Sequence, residues 1–348
     1  MSAAAAEIDL VGLTRSLVDI DSTTGREKDA GVWLSRYLRE RGFAVTEQPV
    51  DGSRFNVFAS LPEAASPVVV LSTHFDCVPP FFPSRLDGNR IVGRGSCDAK
   101  GILSAQVAAV DRLRRAGESR VGLLFVVGEE RGSDGARVAN LAATTCRFLI
   151  DGEPTDNRLG LATRGMIRLK FRASGRAAHS SFPERGESAI DKLIDALMAL
   201  RSIALPSDPV LGHTHYTTGL ISGGVAPNVV PPSAEAEVMF RTVSDVASVR
   251  RAIAPIEARV AIEHVLDVPP VQLVTVPGFE TAIFPYTTDI PFLGAWGEPL
   301  LYGPGSIHVA HTTDEFVAID ELTAAVDGYV KIAQALLNQG SGGGQSGV

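Results

Sequence analysis

An apolar, β-branched run that leads into a histidine and an aspartate constrains the fold of this chain most. Residues 68–71 read Val-Val-Val-Leu and are followed closely by His74 and Asp76. A short continuous apolar run predicts a strand that is buried on both faces, as in a parallel sheet flanked by helices. In such sheets the groups that bind ligands collect just beyond the carboxyl ends of the strands. The sequence therefore predicts an α/β fold with a polar site at this end of the sheet.

His74 and Asp76 have a spacing that suits a metal ligand and its supporting carboxylate. One residue lies between them, and in an extended chain this spacing points both side chains the same way. Asp76 can then hold one nitrogen of the imidazole while the other nitrogen faces a metal ion. We therefore expect His74 to bind a metal and Asp76 to orient it.

Acidic loops follow two further predicted strands. The second apolar strand is predicted over residues 121–127 and leads into Glu129 and Glu130. The third is predicted over residues 147–150 and is followed by Glu153. Asp98 lies between glycines, ahead of a predicted helix. Three apolar strands in succession that end in acidic or histidine-bearing loops indicate one site, assembled along one edge of the sheet.

The adjacent pair Glu129 and Glu130 has two interpretations. The first is a solvated acidic pair at a strand end, and the second is a functional pair. In an extended chain adjacent side chains cannot both aim at one point, which allows one glutamate to bind metal while the other addresses a metal-bound water. The residues alone leave open which glutamate does which. The direct succession to a buried strand favours the functional interpretation.

The candidate ligands are imidazoles and carboxylates. Such mixed sets suit zinc, cobalt or manganese better than calcium or magnesium. Six groups exceed the needs of one tetrahedral ion with an open position, whereas two ions about 3.5–4 Å apart that share a carboxylate use them more fully. The candidates are His74, Asp98, Glu129, Glu130, Glu153 and a histidine near the C-terminus.

The pattern changes after Arg164, where the elements follow the order β-α-β-β-α-β. This order is typical of a ferredoxin-like, two-layer domain. The chain then returns to an α/β pattern and ends in a helix predicted over 320–337. We predict a discontinuous catalytic domain, formed by residues 1–164 and 276–340, into which residues 165–275 are inserted as a second domain. Residues 341–348 are predicted to be a flexible Gly/Ser-rich tail.

Composition excludes several classes of protein. The net charge is −8 over 348 residues and we find no basic patches, so a nucleic-acid partner is not expected. No apolar run approaches the ~18–20 residues of a membrane span. The first residues lack the pattern of a signal peptide, and three scattered cysteines do not form a disulfide framework. These features predict a cytoplasmic protein without a membrane partner.

Taken together, the motifs resemble those of the di-zinc aminoacylase and carboxypeptidase-like metallopeptidases, which include acetylornithine deacetylase, acetyl-lysine deacetylase and succinyl-diaminopimelate desuccinylase. The matching segments are His74-x-Asp76, Gly93-Arg94-Gly95-x-x-Asp98-x-Lys100-Gly101, Glu129-Glu130, Gly152-Glu153-Pro154-Thr155 and Ala310-His311-x-x-Asp314-Glu315.

The resemblance implies a role for each site residue. His74 and Glu153 would bind one zinc ion, Glu130 and His311 the other, and Asp98 would bridge them, giving two Zn²⁺ per subunit with Co²⁺ or Mn²⁺ as alternatives. Asp76 would orient His74. Glu129 would be the general acid/base that moves a proton from water to the leaving amine.

The same resemblance extends into the inserted domain and implies a homodimer formed through it. His179 lies in a segment whose family counterpart reaches the partner subunit's site and stabilises an oxyanion. Asn228 lies in a matching loop, and Asn228, Arg164 and Arg241 resemble contacts to a substrate carboxylate, for which the planar guanidinium is well suited.

The predicted function is hydrolysis of a small acyl group, acetyl or succinyl, from an N-acyl amino acid such as N-acetylornithine or N-acetyl-lysine. A dipeptidase or carboxypeptidase with the same site is the nearest alternative, and a catalytically silent dimerising homologue is another. Glu129 argues against the silent homologue. His308 remains open as a competing ligand, whereas Cys77 and Cys97 are predicted to be small buried residues.

Overall fold

The computed structural model describes residues 7–63, 66–142 and 145–339. The predicted flexible tail, 341–348, and the first six residues lie outside this description. The chain divides into two compact units. Of the described residues, unit 1 contains those within Met1–Leu161, Leu273–Ala282 and Thr288–Val348, and unit 2 contains those within Ala162–Gln272 and Ile283–Thr287.

The helices and strands have the following bounds. The helices are α1 (Leu10–Val18), α2 (Lys28–Glu40), α3 (Lys100–Arg115), α4 (Asp134–Ala139), α5 (Ala189–Leu200), α6 (Val246–Glu257) and α7 (Ile319–Gln339). The strands are β1 (Ala44–Asp51), β2 (Arg54–Ser60), β3 (Val69–His74), β4 (Arg85–Asp87), β5 (Arg90–Val92), β6 (Val121–Val126), β7 (Phe148–Asp151), β8 (Leu159–Thr163), β9 (Gly165–Ser174), β10 (Ser207–Asp208), β11 (Gly212–His213), β12 (His215–Gly223), β13 (Ser233–Thr242), β14 (Ala261–Val268), β15 (Val271–Gln272), β16 (Thr281–Phe284), β17 (Glu298–Leu301) and β18 (Phe316–Ala318).

Unit 1 is built on a six-stranded sheet in the order β1-β2-β6-β3-β7-β17. The neighbours β6, β3, β7 and β17 are parallel, and β1 and β2 add an antiparallel edge. The predicted α/β class with a mainly parallel sheet is therefore confirmed. Because parallel strands end on the same side, the loops that follow β3, β6 and β7 emerge at one edge of the sheet.

Alternating residues of β3 enter two different cores. Val69 and Leu71 pack in the core shared with α1, α2, α3 and α7, while Val70 packs on the opposite face with residues of α4 and with Trp296. Helices thus cover both faces of the sheet. This double burial explains why β3 is a continuous apolar run without an alternating polar pattern.

Unit 2 contains the predicted βαββαβ order, with an antiparallel sheet arranged β12-β13-β9-β14. This is the ferredoxin-like arrangement. On β9, Leu169 and Phe171 are buried in the core with α5 and α6, whereas Lys170 between them faces outward and pairs with Glu237 at 3.4 Å. The outer face of the sheet is therefore ionic, and the inner face is apolar.

The strands that the sequence did not predict are short. The strands β4, β5 and β18 form one small sheet, β15, β8 and β16 another, and β10 pairs with β11. Runs of two to five residues are too short to give a recognisable alternation. Among residues 7–63, 66–142 and 145–339, no helix combines the length and the apolar character needed to cross a bilayer.

Candidate metal centre

The ends of parallel strands bring the predicted ligands of unit 1 together. His74 is the last residue of β3, and Glu130 follows β6, the parallel neighbour of β3. Asp98 lies two residues before α3. One potential ligand atom from each of His74, Asp98 and Glu130 lies within 4.8 Å of the others. The three side chains form a group that could hold a metal ion.

The carboxylate of Asp98 lies between two imidazoles. Its Oδ1 is 2.9 Å from Nε2 of His74, and its Oδ2 is 3.2 Å from Nε2 of His311. His311 Nε2 is also 3.0 Å from Oε1 of Glu130. Each carboxylate oxygen of Asp98 therefore faces a different histidine. This arrangement is compatible with the bridging role predicted for Asp98 from the family resemblance.

Asp76 lies against Nδ1 of His74 and has a further set of contacts. Nδ1 of His74 lies 3.0 Å from the main-chain oxygen of Asp76 and 3.4 Å from its carboxylate. With the proton on Nδ1, Nε2 keeps a lone pair for a metal ion that it would share with Asp98, its neighbour at 2.9 Å. The Asp76 carboxylate also accepts the main-chain N–H groups of Glu129 and Glu130, at 3.1 and 3.3 Å. Asp76 thus joins the histidine to the glutamate turn.

Glu129 and Glu130 lie on a single 3₁₀ turn, Glu129–Arg131, which follows Gly128 at φ 76°. The assumption of an extended chain at this point was wrong. Consecutive side chains still diverge on such a turn, and Glu130 is the one that reaches His311. Burial raises the pKa of the Glu129 carboxyl well above its usual value, against the opposing effect of the nearby His74. A raised pKa suits a general base that works near neutrality.

Glu153 completes a group of crowded carboxyl groups. It follows β7, is 5% exposed, and its pKa is raised well above the usual value by burial and by the charges of Asp98 and Glu129. Carboxylates that are buried near one another require a compensating positive charge. Buried, mutually repelling carboxylates with two imidazoles therefore fit a divalent cation of the zinc type.

A buried ion pair that the sequence analysis missed fixes the segment before α3. Glu315 places Oε2 2.6 Å from Nη1 of Arg94, and its Oε1 accepts the main-chain N–H groups of Gly95, Cys97 and Asp98 at 2.9, 3.1 and 3.1 Å. Both ionic side chains are almost completely buried. Glu315 thereby holds the main chain of Asp98. Its position four residues after His311, within a matched motif, was the signal for such a role.

Two further buried acids lie near the centre and were not predicted. Asp289 and Asp151 are each 2% exposed. Burial raises the pKa of Asp289 to about 6, and burial together with the charge of Asp289 raises the pKa of Asp151 well above its usual value. The charge of Asp289 also raises the pKa of Glu129. These acids add to the negative potential around the proposed base.

His308, Cys77 and Cys97 are the neighbouring residues that could compete as metal ligands. His308 is exposed and lies outside the group formed by His74, Asp98 and Glu130. Cys77 and Cys97 are buried, as predicted. Burial raises the pKa of Cys77 to about 11 and that of Cys97 well above its usual value. Both cysteines also lie outside the group formed by His74, Asp98 and Glu130.

In unit 2, His179 and Asn228 lie on neighbouring loops. His179 forms an isolated β-bridge with Val229, and the main-chain N–H of Ser180 donates to the carbonyl of Asn228 at 3.0 Å. The N–H of Ser181 donates to Nδ1 of His179 at 3.2 Å. In the neutral ring this leaves Nε2 as the nitrogen that carries the proton, so His179 presents a hydrogen-bond donor.

Arg164 and Arg241 lie together elsewhere in unit 2. Nη1 of Arg164 is 3.3 Å from Nδ1 of His215. His215 on β12 lies directly opposite Arg241 on β13 in the register of the two strands. In the part of unit 2 that the structure describes, neither arginine forms an ion pair. Burial lowers the pKa of Arg241, and no acid opposes this effect. Unpaired guanidinium groups of this kind are suited to an anionic ligand.

The two groups of unit 2 lie at opposite ends of its sheet. Strands β9 and β13 pair Gly165 with Thr242 at the end of the sheet where Arg164 and Arg241 lie. At the other end they pair Ser174 with Ser233, and the loops that carry His179 and Asn228 extend from that end. A strand of ten residues is about 30 Å long. The structure therefore separates residues that the sequence analysis had assigned to one substrate.

The family follows from a comparison of sequences. The model of peptidase family M20/M25/M40 matches residues 70–335, a range that contains all five predicted metal ligands of unit 1. The chain belongs to peptidase family M20/M25/M40. This confirms the metallopeptidase family that the motifs indicated, and it makes the protein a member of a hydrolase family.

Relatives of this M20 chain agree with the assignment. A protein from Aspergillus terreus named "Probable carboxypeptidase" is 40% identical, with 93% of this chain and 85% of the relative covered. A tripeptidase structure from Staphylococcus aureus has a TM-score of 0.79 at 20% identity, covering 97% of this chain and 100% of that one. A dinuclear metal-binding M20 peptidase from Bacillus subtilis has a TM-score of 0.72 at 17% identity, covering 94% and 98%. The two structures establish the shared fold.

Proposed function

We propose that this M20 protein is a metal-dependent amidohydrolase of the carboxypeptidase type. It cleaves the amide bond whose nitrogen belongs to an amino acid with a free α-carboxylate. The observation that carries this proposal is the convergence of His74, Asp98, Glu130 and His311 at one edge of the sheet. The 40% identical relative named as a carboxypeptidase supports the peptidase direction. Removal of acetyl or succinyl from an N-acyl amino acid is a narrower form of the same chemistry and stays a prediction.

The ligand set proposed from the resemblance divides the donors between two ions. His74 and Glu153 would hold one ion, Glu130 and His311 the other, and Asp98 would contribute to both. The donor chemistry fits Zn²⁺, with Co²⁺ or Mn²⁺ as alternatives. When bound, such ions supply Lewis-acid polarisation of the acyl carbonyl and lower the pKa of water toward neutrality.

Glu129 moves the proton in the proposed reaction. Its carboxylate accepts a proton from the attacking water as the water oxygen bonds to the acyl carbon. It then transfers that proton to the amide nitrogen as the C–N bond breaks, so that an acid and an amine leave and the carboxylate is regenerated. The burial that raises the pKa of Glu129 brings its basicity toward the range needed for both transfers.

Residues of unit 2 would bind the substrate. Arg164 and Arg241, which lack ion pairs within the described part of unit 2, are assigned to the free carboxylate. Asn228 lies with His179 at the other end of the sheet, and it is assigned to the same carboxylate as a residue supplied by the other subunit. His179, with Nε2 as its donor nitrogen, is assigned to the oxyanion that develops on the acyl oxygen. The separation of the two groups at opposite ends of the sheet supports an origin in two different subunits.

The edges of the unit 2 sheet support a homodimer formed through this unit. The edge strand β14 carries Glu263 and a His264–Asp267 pair at 2.9 Å, and charged groups of this kind prevent edge-to-edge pairing. The other edge strand, β12, exposes Leu220 and Ile221, at 65% and 62%. An exposed apolar edge favours the addition of a strand from a second chain. We therefore propose β12 as the strand that pairs in the dimer.

A hydrolysis panel tests the proposed function. The substrates are N-acetylornithine, N-acetyl-lysine, N-succinyl-diaminopimelate, simple dipeptides and N-blocked dipeptides, each with zinc, cobalt or manganese. Every substrate is matched with its C-terminal carboxamide. We expect hydrolysis of free carboxylates only. Equal rates for the carboxamides would contradict carboxylate recognition, and the absence of hydrolysis by metal-replete protein would contradict the function.

Replacing Arg241 by Ala is expected to reduce kcat/KM for substrates with a free carboxylate by about 10- to 100-fold. Most of this reduction should come from a higher KM, because the substrate loses a charge-assisted hydrogen bond. Arg172→Ala is the matched control, because Arg172 lies on the neighbouring strand β9 and pairs with Glu235 and Glu263. Steady-state kinetics with one substrate of the panel measure both. An unchanged KM in Arg241→Ala would remove this residue from the substrate site.

A further inference from the structure

The turn that carries Glu129 and Glu130 is held at both ends by one carboxamide of β2. Oδ1 of Asn56 accepts the main-chain N–H of Val127 at 3.2 Å, and its Nδ2 donates to the carbonyl of Gly135 at 2.8 Å. The N–H of Gly135 donates to the carbonyl of Val127 at 2.9 Å, so the loop closes at these two residues. Asn56 is completely buried. It therefore clamps the base of the turn.

Arg54, two residues earlier on the same face of β2, contacts the loop that contains the turn. Its Nη1 is 3.2 Å from Oε1 of Glu27, and its Nη2 is 3.0 Å from Oδ2 of Asp134, the first residue of α4. Its Nε also donates to Asp51 at 2.8 Å. A Cβ atom added to Gly128 would lie 3.0 Å from Nη1. The guanidinium thus abuts the residue that precedes Glu129.

Glu27 makes Arg54 a fixed anchor. The Glu27 side chain is fully buried, and it accepts the main-chain N–H of Gly25 at 2.8 Å. Burial raises the pKa of Glu27, while Arg54 opposes this effect. A buried carboxylate that loses its cation is strongly destabilised, so the guanidinium cannot leave this position at low cost. Asp134 and the turn are therefore held against a group that does not move.

We propose that Arg54 and Asn56 are positioning residues for the two glutamates. They form a second clamp on the loop of this turn, in addition to Asp76, which accepts the main-chain N–H groups of Glu129 and Glu130. A displacement of about 1 Å at a reacting group can reduce a rate by as much as 10²-fold. Loosening the clamp therefore lowers kcat through Glu129 and weakens metal binding through Glu130, while KM stays unchanged. The effect on rate rests on the proposed function, whereas the effect on metal binding does not.

The two exposed acids bound to Arg54 provide a matched pair of variants. Asp51 and Asp134 contact the same guanidinium, and their side chains are 59% and 51% exposed, but only Asp134 belongs to the loop of the glutamates. We expect Asp134→Ala to lower kcat and to weaken Co²⁺ binding, each by about tenfold. Asp51→Ala should stay within about twofold of the unaltered protein in both measurements.

The measurements are steady-state kinetics, calorimetric titration with Co²⁺ alone, and thermal unfolding of both variants. Arg54→Lys, which keeps the charge beside Glu27 but lacks the planar fork, should give an intermediate loss of Co²⁺ affinity. The proposal is overturned if Asp134→Ala matches Asp51→Ala in both kcat and Co²⁺ affinity, whatever the unfolding temperatures. If the unaltered protein hydrolyses no substrate of the panel, the proposed function fails, and the Co²⁺ titration still decides this proposal.

Discussion

Replacing Glu129 by Gln is expected to lower kcat by about 10³- to 10⁴-fold while the metal content remains that of the unaltered protein. The amide has the shape of the carboxylate but cannot accept the proton of the attacking water. The turn should stay in place, because Asp76 accepts the main-chain N–H of Glu129 and not its side chain. KM should change little, since Glu129 has no assigned role in binding the ground state.

Glu130→Gln is the matched control for this experiment. The two glutamates are adjacent on one turn, but Glu130 is the one whose carboxylate lies 3.0 Å from His311. Its replacement should weaken metal binding, and excess metal should restore part of the activity. Metal analysis and kinetics at two metal concentrations separate the two variants. A nearly normal kcat in Glu129→Gln, or a loss of metal equal to that of Glu130→Gln, would reject Glu129 as the base.

The parts of the fold that could be predicted are those with a local signature. The continuous apolar runs of β3, β6 and β7 indicated buried parallel strands, and the acidic groups after them indicated the edge at which a site forms. The element order of unit 2 likewise predicted its ferredoxin-like sheet. In each of these cases the single elements are marked by patterns within about ten residues, and the order of those elements indicates the fold.

The contacts that position the ligands have no such signature. Arg94 and Glu315 are separated by 221 positions, and Asn56 meets Gly135 across 79. No periodicity marks a pair of this kind, and the motifs that contain Arg94 and Glu315 do not indicate that the two side chains meet. The 3₁₀ turn of Glu129 was also missed, because it depends on the left-handed Gly128 and on the amide contacts of Asp76. Sequence patterns therefore identified candidate ligands better than the groups that hold them.

Replacing His179 by Ala is expected to lower kcat by about 10²- to 10³-fold, the cost of removing one donor to a developing oxyanion. Metal content should not change, because the ligand group His74, Asp98 and Glu130 belongs entirely to unit 1. His179→Gln, which retains an N–H donor, should recover part of the loss. A variant with normal kcat would remove His179 from the reaction.

Mixing His179→Ala with Glu129→Gln distinguishes a shared site from a self-contained one. If His179 serves the partner subunit's site, each mixed dimer contains one site with both an intact Glu129 and an intact His179. Random exchange then restores about one quarter of the normal activity, because half of the dimers are mixed and each has one competent site. Two different affinity tags isolate the mixed dimer, in which activity should reach about half. If tagged mixed dimers form and remain inactive, each subunit uses its own His179. The arginine group and the His179 group, at opposite ends of the unit 2 sheet, would then not come from two different subunits.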